Sequence, residues 1–316
     1  MIDPELQLVL AATGQAEEQT FFGLDPVAAR AGVEAMMASL VAGLDPVADL
    51  TTTDLAIAGL PVRLYRPAQP PSPTLPLLVF LHGGGWVAGS IASHDRLCAL
   101  LARGSGACVA SVEYRLAPEA PFPAAVDDAV TVFSHFVDHA QTHGVDPAAI
   151  AIGGDSAGAT LAAAAALILR DQGGPTPLFQ LLLYPAVDLA GDYPSRARFK
   201  DGPMVTAREL DWYIDAYLPD RSLTRDHRAS PLLADLSGLP PAIIVTAGND
   251  MLHDEGEAFA QGLRKAGVNV LHRDYPTMVH GFLLLAHLSK AAQHGLDTVT
   301  QDLQIGFSSL GLVVHV

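Results

Sequence analysis

Two glycine-containing segments of this 316-residue chain carry residue types suited to acyl transfer. Residues 82–86 read His-Gly-Gly-Gly-Trp, and consecutive glycines leave backbone N–H groups unshielded, so that they can stabilise an oxyanion. Residues 154–158 read Gly-Asp-Ser-Ala-Gly, a pattern that presents a serine on a sharp turn between a strand and a helix. Together the segments predict an oxyanion hole and a nucleophile, Ser156.

The pair of motifs is unlikely to arise by chance in a chain of this composition. With 28 glycines among 316 residues, G-x-S-x-G should occur by accident about 0.1 times and H-G-G-G roughly 0.01 times. An apolar run over 75–81 ends at His82, and a shorter one over 149–152 ends just before the serine motif. An alanine-rich stretch follows Ser156, so the order is strand, turn and buried helix, as such a nucleophile requires.

A serine nucleophile needs a base within hydrogen-bond reach and a carboxylate that orients the base. In the fold that presents its serine on such a strand-turn-helix, these groups follow the serine in the order acid, histidine, each at the carboxyl end of a strand. The apolar run 241–247 leads to Asp250, and the run 268–275 leads to His280. We therefore predict Asp250 as the orienting acid and His280 as the base.

Competing residues exist for each of these roles. Ser156 alone could be an ordinary helix N-cap serine. Asp254 and Glu255 also follow the run 241–247, but acidic residues at that distance favour the start of a helix. His280 competes with three other histidines, which are His253, His272 and His287. Asp155, beside the serine, is interpreted as a supporting or structural carboxylate.

Apolar runs alternate with helical patterns along most of the chain, which indicates a mostly parallel sheet with crossover helices, an α/β fold. The predicted strands are 76–82, 107–114, 149–153, 179–184, 241–247 and 268–275. Residues 1–50 have helical patterns, and residues 189–230 interrupt the alternation with a helical piece at 206–217. We predict that these two cap segments, 1–50 and 189–230, form a helical cap over a catalytic domain made of 51–188 and 231–316.

Charge and composition restrict the classes of partner. The chain has 18 basic and 34 acidic residues, a formal net charge of −16, which disfavours nucleic acid and anionic membranes. The longest apolar stretch, 157–169, is too short to span a bilayer, and the first residues lack the basic start of a secretory signal. Cys98 and Cys108 are interpreted as reduced packing residues. We expect a cytoplasmic protein with no nucleic-acid or membrane partner.

Three histidines at intervals of four, His135, His139 and His143, would share one face of a helix and could bind a metal. No acidic residue or cysteine completes such a site, and an H-E-x-x-H motif is absent. We interpret them as a solvated face and expect neither a metal nor a cofactor.

The chain resembles bacterial carboxylesterases of the hormone-sensitive-lipase type, which are capped α/β hydrolases. The resemblance covers nearly the whole chain and includes the two glycine motifs and segments 114–119, 121–125, 239–241, 250–256 and 280–282. The family usually has proline after the catalytic aspartate, where this chain has Met251. The resemblance implies an α/β-hydrolase fold and a triad of Ser156, Asp250 and His280. It also implies an oxyanion hole formed by the N–H groups of Gly83, Gly84 and Ala157.

The same resemblance implies a serine carboxylesterase acting on small ester substrates with short-to-medium acyl chains. Amide or peptide hydrolysis on the same triad is an alternative, and so is a ligand receptor of this fold, although a receptor would need neither the acid nor the base. The sequence leaves the oligomeric state open, and a homodimer is one option. The predicted pocket residues are Trp86, Met204, Trp212, Tyr213 and Phe282, and further bulky cap residues are Phe21, Phe22, Met36 and Met37.

Overall fold

The computed structural model describes residues 1–12, 25–70 and 72–308, and within these ranges one eight-stranded sheet forms the centre of the molecule. The strands are β1 (Leu50–Ile57), β2 (Leu60–Pro67), β3 (Leu75–Leu81), β4 (Cys108–Val112), β5 (Val145–Asp155), β6 (Gln180–Leu183), β7 (Ala242–Asn249) and β8 (Val270–Val279). Their spatial order is β1-β2-β4-β3-β5-β6-β7-β8. Strands β1, β2 and β4 pair antiparallel, and all pairs from β4 to β8 are parallel.

Helices cover both faces of the sheet. They are α1 (Pro4–Ala12), α2 (Pro26–Leu40), α3 (Asp95–Ser105), α4 (Ala124–Asp138), α5 (Ala157–Asp171), α6 (Pro194–Arg198), α7 (Ala207–Tyr217), α8 (His253–Lys265) and α9 (Lys290–Ser308). The sheet separates two hydrophobic cores, because successive side chains of a strand point to opposite faces. In β3, Leu77 and Val79 pack in the core that contains α4 and α5, whereas Leu78 and Phe80 pack in the core that contains α3 and α9.

The α/β fold predicted from the alternating pattern is confirmed, and all six predicted strands are present as β3 to β8. Continuous apolar runs identified them because central parallel strands are buried on both faces. The β1–β2 hairpin was not predicted. Strand β1 reads Leu-Thr-Thr-Thr-Asp-Leu-Ala-Ile and is mostly exposed, so no apolar run marks it. Ala58 and Gly59, with φ of 51° and 87°, form its two-residue turn.

The two predicted cap segments contain α1 and α2 in the first and α6 and α7 in the second. Side chains from both segments line one cavity at the carboxyl end of the parallel strands, including Val33 and Met36 from α2 and Tyr213 from α7. Cys98 and Cys108 are buried free thiols. Within the described ranges, no helix combines the length and the apolar character that a bilayer span requires.

Candidate active site

Ser156 lies on the turn between β5 and α5. Its φ of 53° and ψ of −120° place a non-glycine residue in a strained backbone region, which a tight strand-to-helix turn requires. The Ser156 N–H donates to the Leu183 carbonyl at 2.8 Å, which ties the turn to strand β6. The serine side chain is thereby presented at the first turn of α5.

The glycines that flank the serine allow the turn to approach the end of β3. A Cβ atom added to Gly158 would lie 1.9 Å from the Leu81 carbonyl oxygen, and one added to Gly154 would lie 2.3 Å from the same oxygen. No side chain fits at either position, so the G-x-S-x-G spacing is a packing requirement of this turn. The nucleophile motif and the glycine loop that follows β3 are consequently neighbours in space.

Three predicted side chains lie in a hydrogen-bonded line. The His280 Nε2 is 2.9 Å from the Ser156 Oγ, and the His280 Nδ1 is 2.6 Å from the Asp250 Oδ2. Asp250 follows β7 and also accepts the Leu252 N–H at 2.9 Å, whereas His280 follows β8. The chain therefore brings together, from three strand ends, the residues that the sequence predicts as nucleophile, base and acid.

The histidine and aspartate of this line are almost fully buried. Burial lowers the pKa of His280, but the charge of Asp250 and its hydrogen bond raise it more, so the net pKa lies above the ordinary histidine value. A carboxylate at this position favours the protonated form of the imidazole.

The competing acids and bases have other partners. Glu255 pairs with Arg196, and Asp254 contacts His253. The His272 Nε2 is 2.8 Å from the Thr246 Oγ1, and the His287 Nε2 is 2.8 Å from the Leu40 carbonyl oxygen. Their contacts lie away from the Ser156 hydroxyl.

One predicted oxyanion donor is already engaged. Gly83 lines the cavity, but its N–H donates to the Asp155 Oδ1 at 2.8 Å and also contacts the His94 Nε2 at 3.3 Å, so these contacts do not support the predicted role of Gly83. Within the described residues, the N–H groups of Gly84, Gly85 and Ala157 donate to no protein acceptor, and all three residues line the cavity that contains Ser156. Gly85 was not among the predicted donors, because three adjacent glycines look alike until their N–H directions are known.

The cavity above Ser156 has a volume of about 670 Å³. Of the predicted pocket residues, Trp86, Met204 and Tyr213 line it, as do Met36 and Met37. Trp212 and Phe282 do not line it. Phe282 packs in the core against Tyr184 and Tyr275, and Trp212 packs edge-on against the neighbouring Tyr213. Phe21 and Phe22 lie outside the described residues.

The three histidines spaced by four do not share one helix, because α4 ends at Asp138 and His143 lies in a following 3-10 turn. The His135 Nε2 is nevertheless 3.1 Å from the His143 Nε2, and burial lowers the pKa of both rings. A separate group of possible ligands consists of His253, Asp254 and Glu257. The hydrogen bond that His253 donates to Asp274 raises the pKa of this ring to about 9.

Comparison with known proteins agrees with this geometry. A family profile described as "alpha/beta hydrolase fold" matches residues 78–284, a range that contains Ser156, Asp250 and His280. This chain belongs to the α/β-hydrolase family. Within that family it is of the hormone-sensitive-lipase type, as its glycine motifs indicated.

Relatives of this hydrolase cover nearly its full length. The carboxylic ester hydrolase LipN of Mycobacterium tuberculosis is 41% identical over 97% of this chain and 84% of its own. The ethyl acetate hydrolase of Pseudomonas putida is 38% identical over 95% of this chain and 96% of its own. The hydrolase is accordingly a carboxylic ester hydrolase, and neither amide hydrolysis nor a receptor role is favoured.

Solved structures similar to this hydrolase are also esterases. The ester hydrolase EH1AB1 from the Lake Arreo metagenome has a TM-score of 0.90 and 37% identity, covering 98% of this chain and 100% of its own. A hyperthermophilic esterase from the archaeon Pyrobaculum calidifontis has a TM-score of 0.91 and 34% identity, covering 98% and 99%. The solved structures that share the fold of this hydrolase are therefore also ester hydrolases.

Proposed function

We propose that this hydrolase cleaves esters of short-to-medium acyl chains through a covalent acyl intermediate on Ser156. The observation that carries the proposal is the hydrogen-bonded line from Ser156 through His280 to Asp250, because it joins a nucleophile to an oriented base. The cavity that holds the serine supplies space for the substrate.

The reaction follows from these contacts. His280 Nε2 takes the Ser156 hydroxyl proton while Oγ attacks the ester carbonyl carbon, and the carbonyl oxygen becomes an oxyanion. The tetrahedral intermediate collapses with cleavage of the bond to the alcohol oxygen, which takes the proton from His280. Water then attacks the acyl-serine with the same base, and the carboxylic acid leaves as Ser156 regains its proton.

We assign the oxyanion hole to the N–H groups of Gly84, Gly85 and Ala157. Ala157 opens α5, so its N–H also carries the positive end of the helix dipole. Gly85 has a φ of 60°, and a Cβ atom there would lie 2.3 Å from the Tyr213 ring, so the cap residue Tyr213 rests directly on this loop. Both features support donors that are held in place before the substrate arrives.

The expected length of the substrate acyl chain follows from the cavity and its lining. A volume of about 670 Å³, lined in part by apolar side chains such as Met36, Met204 and Tyr213, accommodates modest acyl groups. We therefore assign cap segments 1–50 and 189–230 as the roof of the substrate site and expect a preference for about four to eight carbons. The relative named ethyl acetate hydrolase supports a small-ester range.

The proposal also covers location and assembly. Two buried free thiols suit a reducing compartment, so we propose that the hydrolase works in the cytoplasm. A homodimer is a further prediction, and light scattering on the purified chain measures the oligomeric state directly.

The deciding experiment compares wild type with Ser156→Ala on p-nitrophenyl esters of two to sixteen carbons. We expect kcat to fall by several orders of magnitude in the variant, with an unchanged circular dichroism spectrum. A fluorophosphonate probe should label wild type at Ser156 and leave the variant unlabelled. Turnover of the butyrate ester by Ser156→Ala at the wild-type rate would refute the nucleophile, and a preference for the longest chains would refute the size limit.

A further inference from the structure

His94 is a buried histidine that takes no part in the triad. It immediately precedes α3, is 4% exposed, and has a polar contact on each ring nitrogen. The Nδ1 lies 2.9 Å from the Ser93 Oγ, and the Nε2 lies 3.2 Å from the Asp155 Oδ1 and 3.3 Å from the Gly83 backbone nitrogen. An imidazole held at both nitrogens has a fixed ring orientation.

The Ser93 hydroxyl is itself held in place by a neighbouring serine. The Ser90 N–H donates to the Ser93 Oγ at 2.8 Å, and the Ser93 N–H donates to the Ser90 Oγ at 3.0 Å. The Ser93 hydroxyl donates to the Ser90 carbonyl oxygen at 3.0 Å and also contacts the His94 Nδ1, so this edge of the ring is held and the Nε2 edge faces Asp155.

Asp155 connects His94 to the glycine loop. It is 2% exposed, and its Oδ1 accepts both the Gly83 N–H at 2.8 Å and the contact from His94. Burial raises the pKa of this carboxyl, but the interactions with His94 and with the Gly83 N–H outweigh burial. The net pKa of Asp155 therefore lies below the ordinary aspartate value, and the group is ionised. A buried carboxylate binds such donors strongly because it has no solvent to replace them.

The carboxylate also fixes the position of the loop by contact. A Cβ atom on Gly83 would lie 2.6 Å from the Asp155 Oδ2, so the backbone at Gly83 lies directly against the carboxylate. The next two residues are Gly84 and Gly85, the proposed oxyanion donors. A shift of Asp155 would therefore move both donors relative to Ser156, which directly follows Asp155 in the chain.

We propose that His94 is a positioning residue for the oxyanion hole: its Nε2–H holds the Asp155 carboxylate, which holds the Gly83 N–H and thereby the backbone of Gly84 and Gly85. This inference rests on the proposed function, because it assigns His94 a role in stabilising the tetrahedral intermediate. His94 transfers no proton to the substrate.

The test compares His94→Leu, which removes the donor, with His94→Gln, whose amide nitrogen can reach the place of Nε2. His272→Leu is the matched control, because it removes a half-buried histidine that bonds to Thr246 outside the cavity. Three quantities are measured: kcat/KM on p-nitrophenyl butyrate, the Ki of n-butylboronic acid, and the Ki of 1-hexanol. The boronate forms a tetrahedral adduct on Ser156 with an anionic oxygen, whereas hexanol reports only the shape of the cavity.

We expect His94→Leu to lower kcat/KM by about 10- to 100-fold and to raise the boronate Ki by a similar factor. Displaced N–H donors lose part of the oxyanion stabilisation that is lost entirely when a donor is deleted. The hexanol Ki should stay within about twofold, because binding without an oxyanion does not use these donors. His94→Gln should recover most of both losses, and His272→Leu should match wild type.

Equal boronate Ki values for wild type and His94→Leu would overturn the proposal, and so would a His94→Gln variant as impaired as His94→Leu. A change in the hexanol Ki that equals the change in kcat/KM would assign His94 to substrate contact and would also overturn it. If His94→Leu does not fold, Ser93→Ala replaces it and should give a smaller loss of the same kind, whereas an unchanged boronate Ki would refute the proposal. Failure of wild type itself to form a boronate adduct would instead refute the proposed nucleophile.

Discussion

At the scale of single residues, this site contains one residue with a strained backbone and one buried ionisable side chain. Ser156 has a positive φ, and the imidazole of His280 is buried beside the carboxylate of Asp250. Both conditions persist because neighbouring strands fix the chain on each side. The electrostatic consequence is a base whose pKa is raised by Asp250 in spite of burial.

This raised pKa predicts the acid limb of the pH profile. Only the neutral imidazole can accept the serine proton, so kcat/KM should rise with pH to a plateau, with a midpoint above the free-histidine value of about 6.5. Asp250→Asn should lower kcat on the order of 10⁴-fold and move the midpoint down, because the charge that raises the pKa is gone. Initial rates on p-nitrophenyl butyrate between pH 5 and 9 measure this.

The matched control is Asp254→Asn, since Asp254 contacts His253 and Ser195 rather than His280. Its midpoint should equal that of wild type. A wild-type midpoint below that of free histidine would contradict the role assigned to Asp250.

At the scale of elements, a buried ion pair joins helix α6 to helix α8. The Arg196 side chain, on α6, donates to the Glu255 Oε2 on α8, and the same arginine donates to the carbonyl oxygens of Asp188 and Gly191. The Glu255 side chain is fully buried, and its Oε1 accepts the Val187 N–H. Helix α6, the 187–191 loop and α8 thus meet at one carboxylate.

Removing the arginine should destabilise the fold strongly. Arg196→Ala leaves the Glu255 carboxylate buried without its counter-charge, which should cost about 3 to 5 kcal/mol in the free energy of unfolding. The control, Arg221→Ala, removes an exposed arginine that pairs with Asp211 and Asp215, and it should change stability by less than about 1 kcal/mol. Urea unfolding followed by circular dichroism compares them, and equal losses in the two variants would be inconsistent with this account.

At the scale of the whole molecule, the end of the sheet is stabilised by a charged network. His253, at the start of α8, lies 2.9 Å from Asp254 and 3.2 Å from Asp274 on β8, the last strand. Asp274 also accepts the Thr246 hydroxyl on β7, so β7, β8 and α8 share these contacts. The hydrogen bond that His253 donates to Asp274 raises the pKa of His253 to about 9.

This network predicts a loss of stability in alkaline solution. The folded-state pKa of His253 lies above its unfolded value, so the contribution is complete below about pH 6.5 and disappears as the pH rises through 9. It amounts to at most about 3 kcal/mol, which partial solvent exposure reduces. Melting temperatures from pH 6 to 10 should fall more steeply for wild type than for His253→Gln.

The control for this series is His294→Gln, which changes an exposed histidine on α9 and should keep the wild-type slope. Parallel curves for wild type and His253→Gln would show that His253 does not contribute to the pH dependence.

Local patterns were sufficient to predict the strands and the three residues of the proposed triad. Central parallel strands appear in the sequence as apolar runs because both of their faces are buried, and the residue that follows each run lies at the same edge of the sheet. This is why Asp250 and His280 could be selected over their neighbours. The fold and the class of reaction were therefore accessible from the sequence alone.

Tertiary contacts decided what these patterns left open. The N–H of Gly83 is bonded to Asp155, and neither Trp212 nor Phe282 lines the cavity. A sequence records which groups are available, but the direction of an N–H bond or an aromatic ring depends on contacts between residues far apart in the chain. The sequence by itself therefore determined the sheet and the reaction class, and only the packing of the cap and the glycine loop decided which groups face the substrate.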